Sequence, residues 1–439
     1  MIEWLRSRVH FFARSDFVRN ALWFTTLTAF DRVIAVVQTV LIARALGITE
    51  YGIYGLLFGT IGFVASVVGL QMGLTATVFV SKYRDSEKAK AAAVILIVDR
   101  FGWLVAAAVL LSAIPFNARI SELLLGSGNY QVATLLGIIF VGATILSGVQ
   151  DGIAQGFEIF VVLAKLKIAT SVLVMASIYP MARNFGLDGV LCSILGGLIL
   201  KLSILQMAVR RCRAEAAIPN VGAGVSFHSL VGNFAFPSMA VSLLLGFVTW
   251  LGLFMLSRQP AGFDGVAIVN TGLQWRSPLL LFASTIGTVA IPFFSRLAAN
   301  GDEIKSSKLR NNLAFVSVAI SVVAFFTIAS VSNQLLSLYG PEFSEYRLSF
   351  LLILASSVPT ILAQAYFQQW VGAARMWRVL ILHCPYFLVT LACFVVLVPK
   401  YQSLGYAVSC MMGALALVAC AIIGNSLDRA KSASKIVSL

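Results

Sequence analysis

Charge is scarce in this chain. Only 11% of its 439 residues are Asp, Glu, Lys or Arg, under half the roughly 25% of a soluble domain. With 59% hydrophobic residues, it cannot clothe a water-facing surface, and disorder, which needs low hydrophobicity and high charge, is excluded as well. Histidine is nearly absent: His10, His228 and His383 are far apart, so a His/Cys metal cluster is not expected. The six cysteines form no CxxC pair and five lie inside apolar runs, which makes them small core residues rather than metal ligands. Long polar segments are missing too, no loop exceeding about 20 residues. That leaves no room for the extramembrane domain a membrane enzyme usually needs, and no cofactor is expected. The first twenty residues are too charged for the apolar core of a signal peptide, and no small-residue cleavage site follows.

What the chain has instead is long apolar runs. A bilayer core about 30 Å thick takes roughly 20 apolar residues per helix. Twelve such stretches are bounded by Gly, Pro and charge: 21–44, 53–79, 93–115, 131–156, 167–182, 187–208, 229–256, 265–294, 312–332, 347–370, 379–398 and 403–425. None shows the ten-residue alternation of barrel strands, so the expected fold is an all-α polytopic membrane protein. The net charge of +14 would suggest nucleic acid in a soluble protein; here it is topology. One side of the twelve stretches carries 22 basic residues, from Arg6, Arg8, Arg14 and Arg19 through Arg296, Lys305, Lys308 and Arg310 to Arg429, Lys431 and Lys435. The other carries six, Arg44, Arg119, Arg183, Arg258, Arg347 and Lys400. The bias places both termini in the cytoplasm and leaves no nucleic-acid partner. Residues 1–20, mixing Trp4, Leu5, Val9, Phe11 and Phe12 with arginines, read as an interfacial amphipathic segment on membrane lipids.

Six stretches precede the basic linker around Arg210–Gly224 and six follow. The expected organisation is a bundle over 21–215, a second over 216–426 and a cytoplasmic tail over 427–439. An even number of spans per half predicts a parallel repeat. Matching fragments support it: Asp151–Phe157 with Tyr366–Gly372, and Phe185–Gly189 with Ser403–Tyr406.

Seven ionisable residues remain inside spans: Asp31, Arg32, Asp99, Arg100, Asp151, Lys201 and Arg276. Each costs about 2.5–3.5 kcal/mol at a helix centre, so they must pair or face a wet interior. Asp31 and Gln38 form a stripe spaced by seven, as do Thr25, Arg32 and Thr39. Crossed pairing of Asp31 with Arg100, or of Arg32 with Asp99, would absorb some of the charge. Arg276 has no acid in its own span and lies about a dozen residues from Asp264, too deep for easy snorkelling. The interior balance of +1 suits an anion, above all a phosphate or diphosphate, which arginine binds through paired hydrogen bonds. The candidate headgroup contacts are Arg32, Arg276, Arg100 and Lys201. Asp31, Asp99 and Asp151 are candidates for ion pairing or H⁺ or Na⁺ coupling, and Gln38, Asn233, Asn270 and Gln274 for glycan contacts.

The segment Ile-Ala-Arg-Ala-Leu-Gly-Ile-Thr-Glu-Tyr-Gly-Ile-Tyr-Gly at 42–55 resembles the signature of the O-antigen and polysaccharide translocases, flippases of the multidrug/oligosaccharidyl-lipid/polysaccharide exporter superfamily. Gly69–Lys82, Gly148–Phe157, Phe185–Gly189, Ile291–Arg296 and Tyr339–Phe343 extend the likeness in order along nearly the whole chain. The resemblance implies two six-helix bundles in a V around a central cationic cavity. It implies transfer of an undecaprenyl-pyrophosphate-linked oligosaccharide from the inner to the outer leaflet of a bacterial cytoplasmic membrane by alternating access. Spans 1, 2, 7 and 8 would line the cavity, which favours Arg32 and Arg276 as headgroup contacts. A polysaccharide polymerase and chain-length proteins are the implied partners. A multidrug exporter of the same superfamily is the nearest alternative, and a membrane glycosyltransferase or assembly component the alternative of another class. The peptidoglycan-precursor flippase typically has two further spans.

Overall fold

A computed structural model describes residues 16–70, 72–219, 236–299, 302–373 and 376–437. Most of the expected amphipathic segment and Asn233 lie outside these residues. Among the described residues there is no strand, and the described parts of the twelve apolar stretches are helical, except that the stretch expected over 53–79 is two helices parted at Gly69–Leu70, where Leu70 has a positive φ of 46°. In hydrocarbon a backbone must satisfy its own polar groups, and an apolar run does so by coiling. The helices are α1 (Asp16–Leu46), α2 (Ile48–Val68), α3 (Met72–Tyr83), α4 (Lys88–Ala113), α5 (Asn117–Leu125), α6 (Gln131–Gly156) and α7 (Phe160–Glu215). There follow α8 (Phe236–Ser257), α9 (Gly262–Ala299), α10 (Glu303–Ser330), α11 (Ser332–Tyr339), α12 (Arg347–Ala355), α13 (Ser357–Gly372) and α14 (Met376–Val437). The molecule is a helical polytopic membrane protein.

At 56 and 62 residues, α7 and α14 are far longer than one crossing needs. Each breaks once, at Gly186 (φ 55°) and at Gln402 (φ 49°). Three residues after each break sits a glycine held against the preceding helix. A Cβ on Gly189 would lie 2.2 Å from the Met181 carbonyl oxygen, and one on Gly405 2.2 Å from that of Leu397. Only glycine allows so tight a return, and the two returns are the same structure repeated 216 residues later. The repeat extends further. The short helix α5 and a 3₁₀ turn at Gly128–Tyr130 precede α6, as α11 and a 3₁₀ turn at Pro341–Tyr346 precede α12. Gly156 packs on Val80 of α3 and Gly372 on Phe294 of α9, leaving no room for a side chain in either place.

The chain divides into two compact units, one of residues up to Ala45 with Val64–Met239, the other of Leu46–Phe63 with Ala240–Leu439. Chain order suggested a divide at 215/216; in space residues 46–63 group with the second unit. The first unit's core gathers Met72, Ala76, Val80, Val94, Val98, Val149, Ile153, Leu163 and Leu205. In the second unit Phe367, Trp370, Val379, Leu417 and Ala421 form one cluster, and Ala290, Phe294, Leu313, Ala314 and Ala365 another. Large side chains such as Leu104, Leu111, Phe315, Phe326 and Leu388 are exposed, the arrangement a hydrocarbon solvent requires. Small residues bring the helices together, as packing rather than water expulsion must in lipid.

Candidate functional site

The second unit holds an open cavity of about 490 Å³. It is lined by Leu245 and Thr249 of α8, Arg276, Ser277 and Leu280 of α9, Thr360, Gln364 and Phe367 of α13, and His383, Tyr386 and Leu417 of α14. No carboxylate is among these residues. Thr360 explains how Arg276 is aimed. The threonine hydroxyl donates to the Ser356 carbonyl one turn back (2.8 Å) and accepts from Arg276 Nη2 (2.9 Å). The guanidinium has five N–H donors, and Nε is buried without a partner. No acid pairs with Arg276 among the described residues. An arginine so placed offers unspent donors to an anion, and removal of such a charge-assisted contact typically costs about 1.5–3 kcal/mol.

The other expected residues fall elsewhere. Asn270 lies on α9 where it crosses α2. A Cβ on Gly55 would sit 1.6 Å from Asn270 Nδ2, so the amide occupies the space the glycine leaves rather than lining the cavity. Gly52 touches the Phe263 carbonyl in the same way, and Thr49 Oγ1 donates to Asp264 (2.7 Å). The Tyr-Gly-x-Tyr-Gly part of the 42–55 signature is thus a packing surface for α9. Gln274 does not line the cavity either.

In the first unit the interior charges are largely met. Lys201 Nζ pairs with Asp151 Oδ2 at 2.7 Å and donates to Ser147 Oγ at 3.1 Å. Lys201, expected as a headgroup contact, is therefore committed to Asp151, its approach fixed by α6 and α7 lying side by side. Asp99 Oδ1 accepts from Gln150 Nε2 (2.7 Å), and Asp31 Oδ1 from Ser171 Oγ (2.8 Å). Gln38 Nε2 donates to the Ser171 carbonyl (2.7 Å), which removes it from the free glycan contacts. The crossed Asp–Arg pairs do not form among the described residues, because the Asp31–Gln38 stripe meets Ser171 on α7 instead of α4. Arg32 and Arg100 remain exposed on this unit.

The repeat relates the two interiors. Adding 216 to Ser147, Asp151 and Lys201 gives Ala363, Phe367 and Leu417, three members of one apolar cluster. The first bundle fills that place with an ion pair and the second with packed side chains beside a cavity.

Sequence reasoning passed over His383, Tyr386, Thr360 and Gln364. The i, i+4 spacing of Thr360 and Gln364 was a usable signal; nothing in the sequence pointed Tyr386 inward. Arg310 was also misplaced. Counted among loop charges, it is 2% exposed, stacks on the Tyr366 ring (4.5 Å) and donates to Gln369 (3.1 Å), Asn311 and Asn425. It ties α10, α13 and α14 together at the end of the bundle.

Residues 17–298 match the family described as polysaccharide biosynthesis protein. The chain is 24% identical over 278 residues to the EPS I polysaccharide export inner membrane protein EpsE of Ralstonia nicotianae, covering 56% of this chain and 62% of that protein. It thus spans less than two thirds of that relative's length. Its fold is similar to the inward-facing conformation of a multidrug resistance MATE family transporter of the MOP superfamily (TM-score 0.78, 14% identity, 93% of this chain and 96% of that one). It is similar also to the lipid II flippase MurJ in an inward closed conformation (TM-score 0.72, 13% identity, 90% and 87%). A match over well more than half its length, joined to this fold, places the chain in the polysaccharide biosynthesis protein family, with the architecture of the MOP superfamily transporters.

Proposed function

We propose that this protein is a flippase of the inner membrane that moves a polyprenyl-diphosphate-linked oligosaccharide, the repeat unit of an O-antigen or other surface polysaccharide, from the inner to the outer leaflet by alternating access. The observation that carries the reading is Arg276. It lines a carboxylate-free cavity, held by Thr360, with donors left over. A volume of about 490 Å³ falls in the range of small-ligand sites, about 300–1,000 Å³, and accommodates a diphosphate with its first sugar. The similarity to a Ralstonia polysaccharide export inner membrane protein and to the lipid II flippase MurJ supports the same reading. A cation exporter would be expected to line such a cavity with acids.

In this mechanism the prenyl tail stays in the bilayer while the headgroup enters the protein. Arg276 neutralises the phosphate oxygens, and Thr249, Ser277 and Gln364 offer hydrogen bonds to the sugar. An inside-negative potential favours outward movement of an anion by about 2.3 kcal/mol per charge per 100 mV. Coupling to H⁺ or Na⁺ would run through Asp31, Asp99 or Asp151. Both termini lie in the cytoplasm, and a polymerase and chain-length proteins receive the product.

The test is transport in proteoliposomes with a fluorescent lipid-linked oligosaccharide, scored by its accessibility to a membrane-impermeant quencher. Arg276→Ala should slow transport by about 10- to 100-fold with normal insertion. Unchanged transport would refute the assignment.

A further inference from the structure

His383 lines the same cavity and has no place in the mechanism above. The residue is 8% exposed, and its ring packs against that of Phe367 at a tilt of 33°, with centroids 4.5 Å apart. Its Nδ1 lies 2.7 Å from the Val379 carbonyl oxygen. A carbonyl only accepts, so Nδ1 carries a hydrogen in either charge state and Nε2 is the nitrogen that titrates. The charged and titratable groups around it are few. Among the residues lining the cavity, α8 contributes Leu245 and Thr249, α9 contributes Arg276, and α13 contributes Thr360, Gln364 and Phe367. The remainder of α14 adds Tyr386 and Leu417. A protonated His383 therefore meets a second cation and no acid.

The repeat shows what is missing. The residue 216 positions before His383 is Lys167. In the first unit Lys201 has Lys167 as a neighbouring charge and pairs with Asp151, a carboxylate that offsets its own charge. In the second unit the basic position is kept as a histidine, while the acid's place is taken by Phe367, against which that histidine packs. Among the residues that line this cavity no carboxylate offsets the charge.

We propose that His383 is a second anion contact of this cavity, one that takes up a proton at Nε2 as a diphosphate enters and gives it up as the diphosphate leaves. This rests on the reading of Arg276 as the headgroup contact. Linkage makes the two events reciprocal. Anion binding favours the protonated ring, and binding therefore tightens as pH falls through the histidine range, by up to about tenfold per pH unit.

The experiment uses the full chain in nanodiscs, with geranyl diphosphate as the probe and calorimetry from about pH 5.5 to about 8.5. Repeating it in buffers of different ionisation enthalpy counts the protons taken up. Wild type should bind more tightly at low pH, with up to one proton taken up beyond the probe's own titration. His383→Gln should follow only the probe's own titration across the whole range, with no further proton taken up. A wild-type pH profile in His383→Gln would overturn the proposal. His383→Asn is the second variant should glutamine disturb folding. Arg276→Ala separates the two readings. Loss of binding at every pH upholds the headgroup contact whatever His383 does, and unchanged binding in Arg276→Ala refutes that contact itself.

Discussion

Replacing Lys201 with Leu should damage the first bundle, and completing the exchange should repair it. The side chains of Lys201 and Asp151 are 12% and 19% exposed and 2.7 Å apart. Losing one member of a buried pair leaves the other charged and unsolvated, at about 3–5 kcal/mol. Asp151 is already short of one partner, since Oδ1 is buried without a hydrogen bond, so little is left to absorb the loss. Replacing a whole pair by packed apolar groups is often neutral or better. The second unit supplies the pattern at the equivalent place, with Ala363, Phe367 and Leu417 in one cluster. Lys201→Leu alone should lower the thermal midpoint in detergent by on the order of 10 °C, whereas Ser147→Ala/Asp151→Phe/Lys201→Leu together should recover most of it. The assay is a thermal shift followed by fluorescence-detected size exclusion. A harmless single substitution, or a triple variant as unstable as the single, would refute both the ion pair's role and the equivalence of the two sites.

Three further outcomes follow from local geometry. Gly52→Ala should destabilise the second unit by about 1–3 kcal/mol, because a Cβ would come within 1.9 Å of the Phe263 backbone oxygen. Gly55→Ala meets the movable Asn270 side chain and should be rescued by Asn270→Ala, both read from thermal midpoints. Asp302 caps α10, accepting from the Lys305 backbone N–H (3.0 Å) and pairing with its ammonium (2.6 Å). These hydrogen bonds hold the Asp302 carboxyl below its ordinary value. A depressed carboxyl stabilises the fold above its unfolded pKa of about 3.9 and ceases to as pH falls through the folded value. Hydrogen exchange in the first turn of α10 should therefore quicken below about pH 4, and Asp302→Ala should exchange fast at every pH.

The helical fold was legible because apolar run length is a property of composition that lipid enforces directly. The repeat was visible as Gly-containing fragments, and the structure shows why those glycines stand there: Gly189 and Gly405 let a helix turn back on itself, and Gly156 and Gly372 let two helices touch. The depth of Arg276 could be counted along its helix. Its partner could not, since Thr360 lies 84 residues away on another helix. Helical angle could place Asp31 and Gln38 on one stripe but not say that α7 would meet it. Arg310 was misread for a related reason. Sequence counts a basic residue near a span end as solvated, while here Gln369 and Asn425 from two neighbouring helices, with Asn311 beside it, make a socket for it. Asn270 was polar and deep enough to suggest a ligand contact, but a glycine opposite it had already taken the amide.

The account's central claim is that a diphosphate headgroup sits against Arg276 in the second unit. The most direct measurement is a cryo-EM structure of the protein in nanodiscs with a lipid-linked oligosaccharide. Diphosphate density is predicted within hydrogen-bonding distance of the Arg276 guanidinium, in the cavity bounded by Thr360 and Gln364. Density for the diphosphate at any other place, with this cavity holding only water or acyl chain, would contradict it.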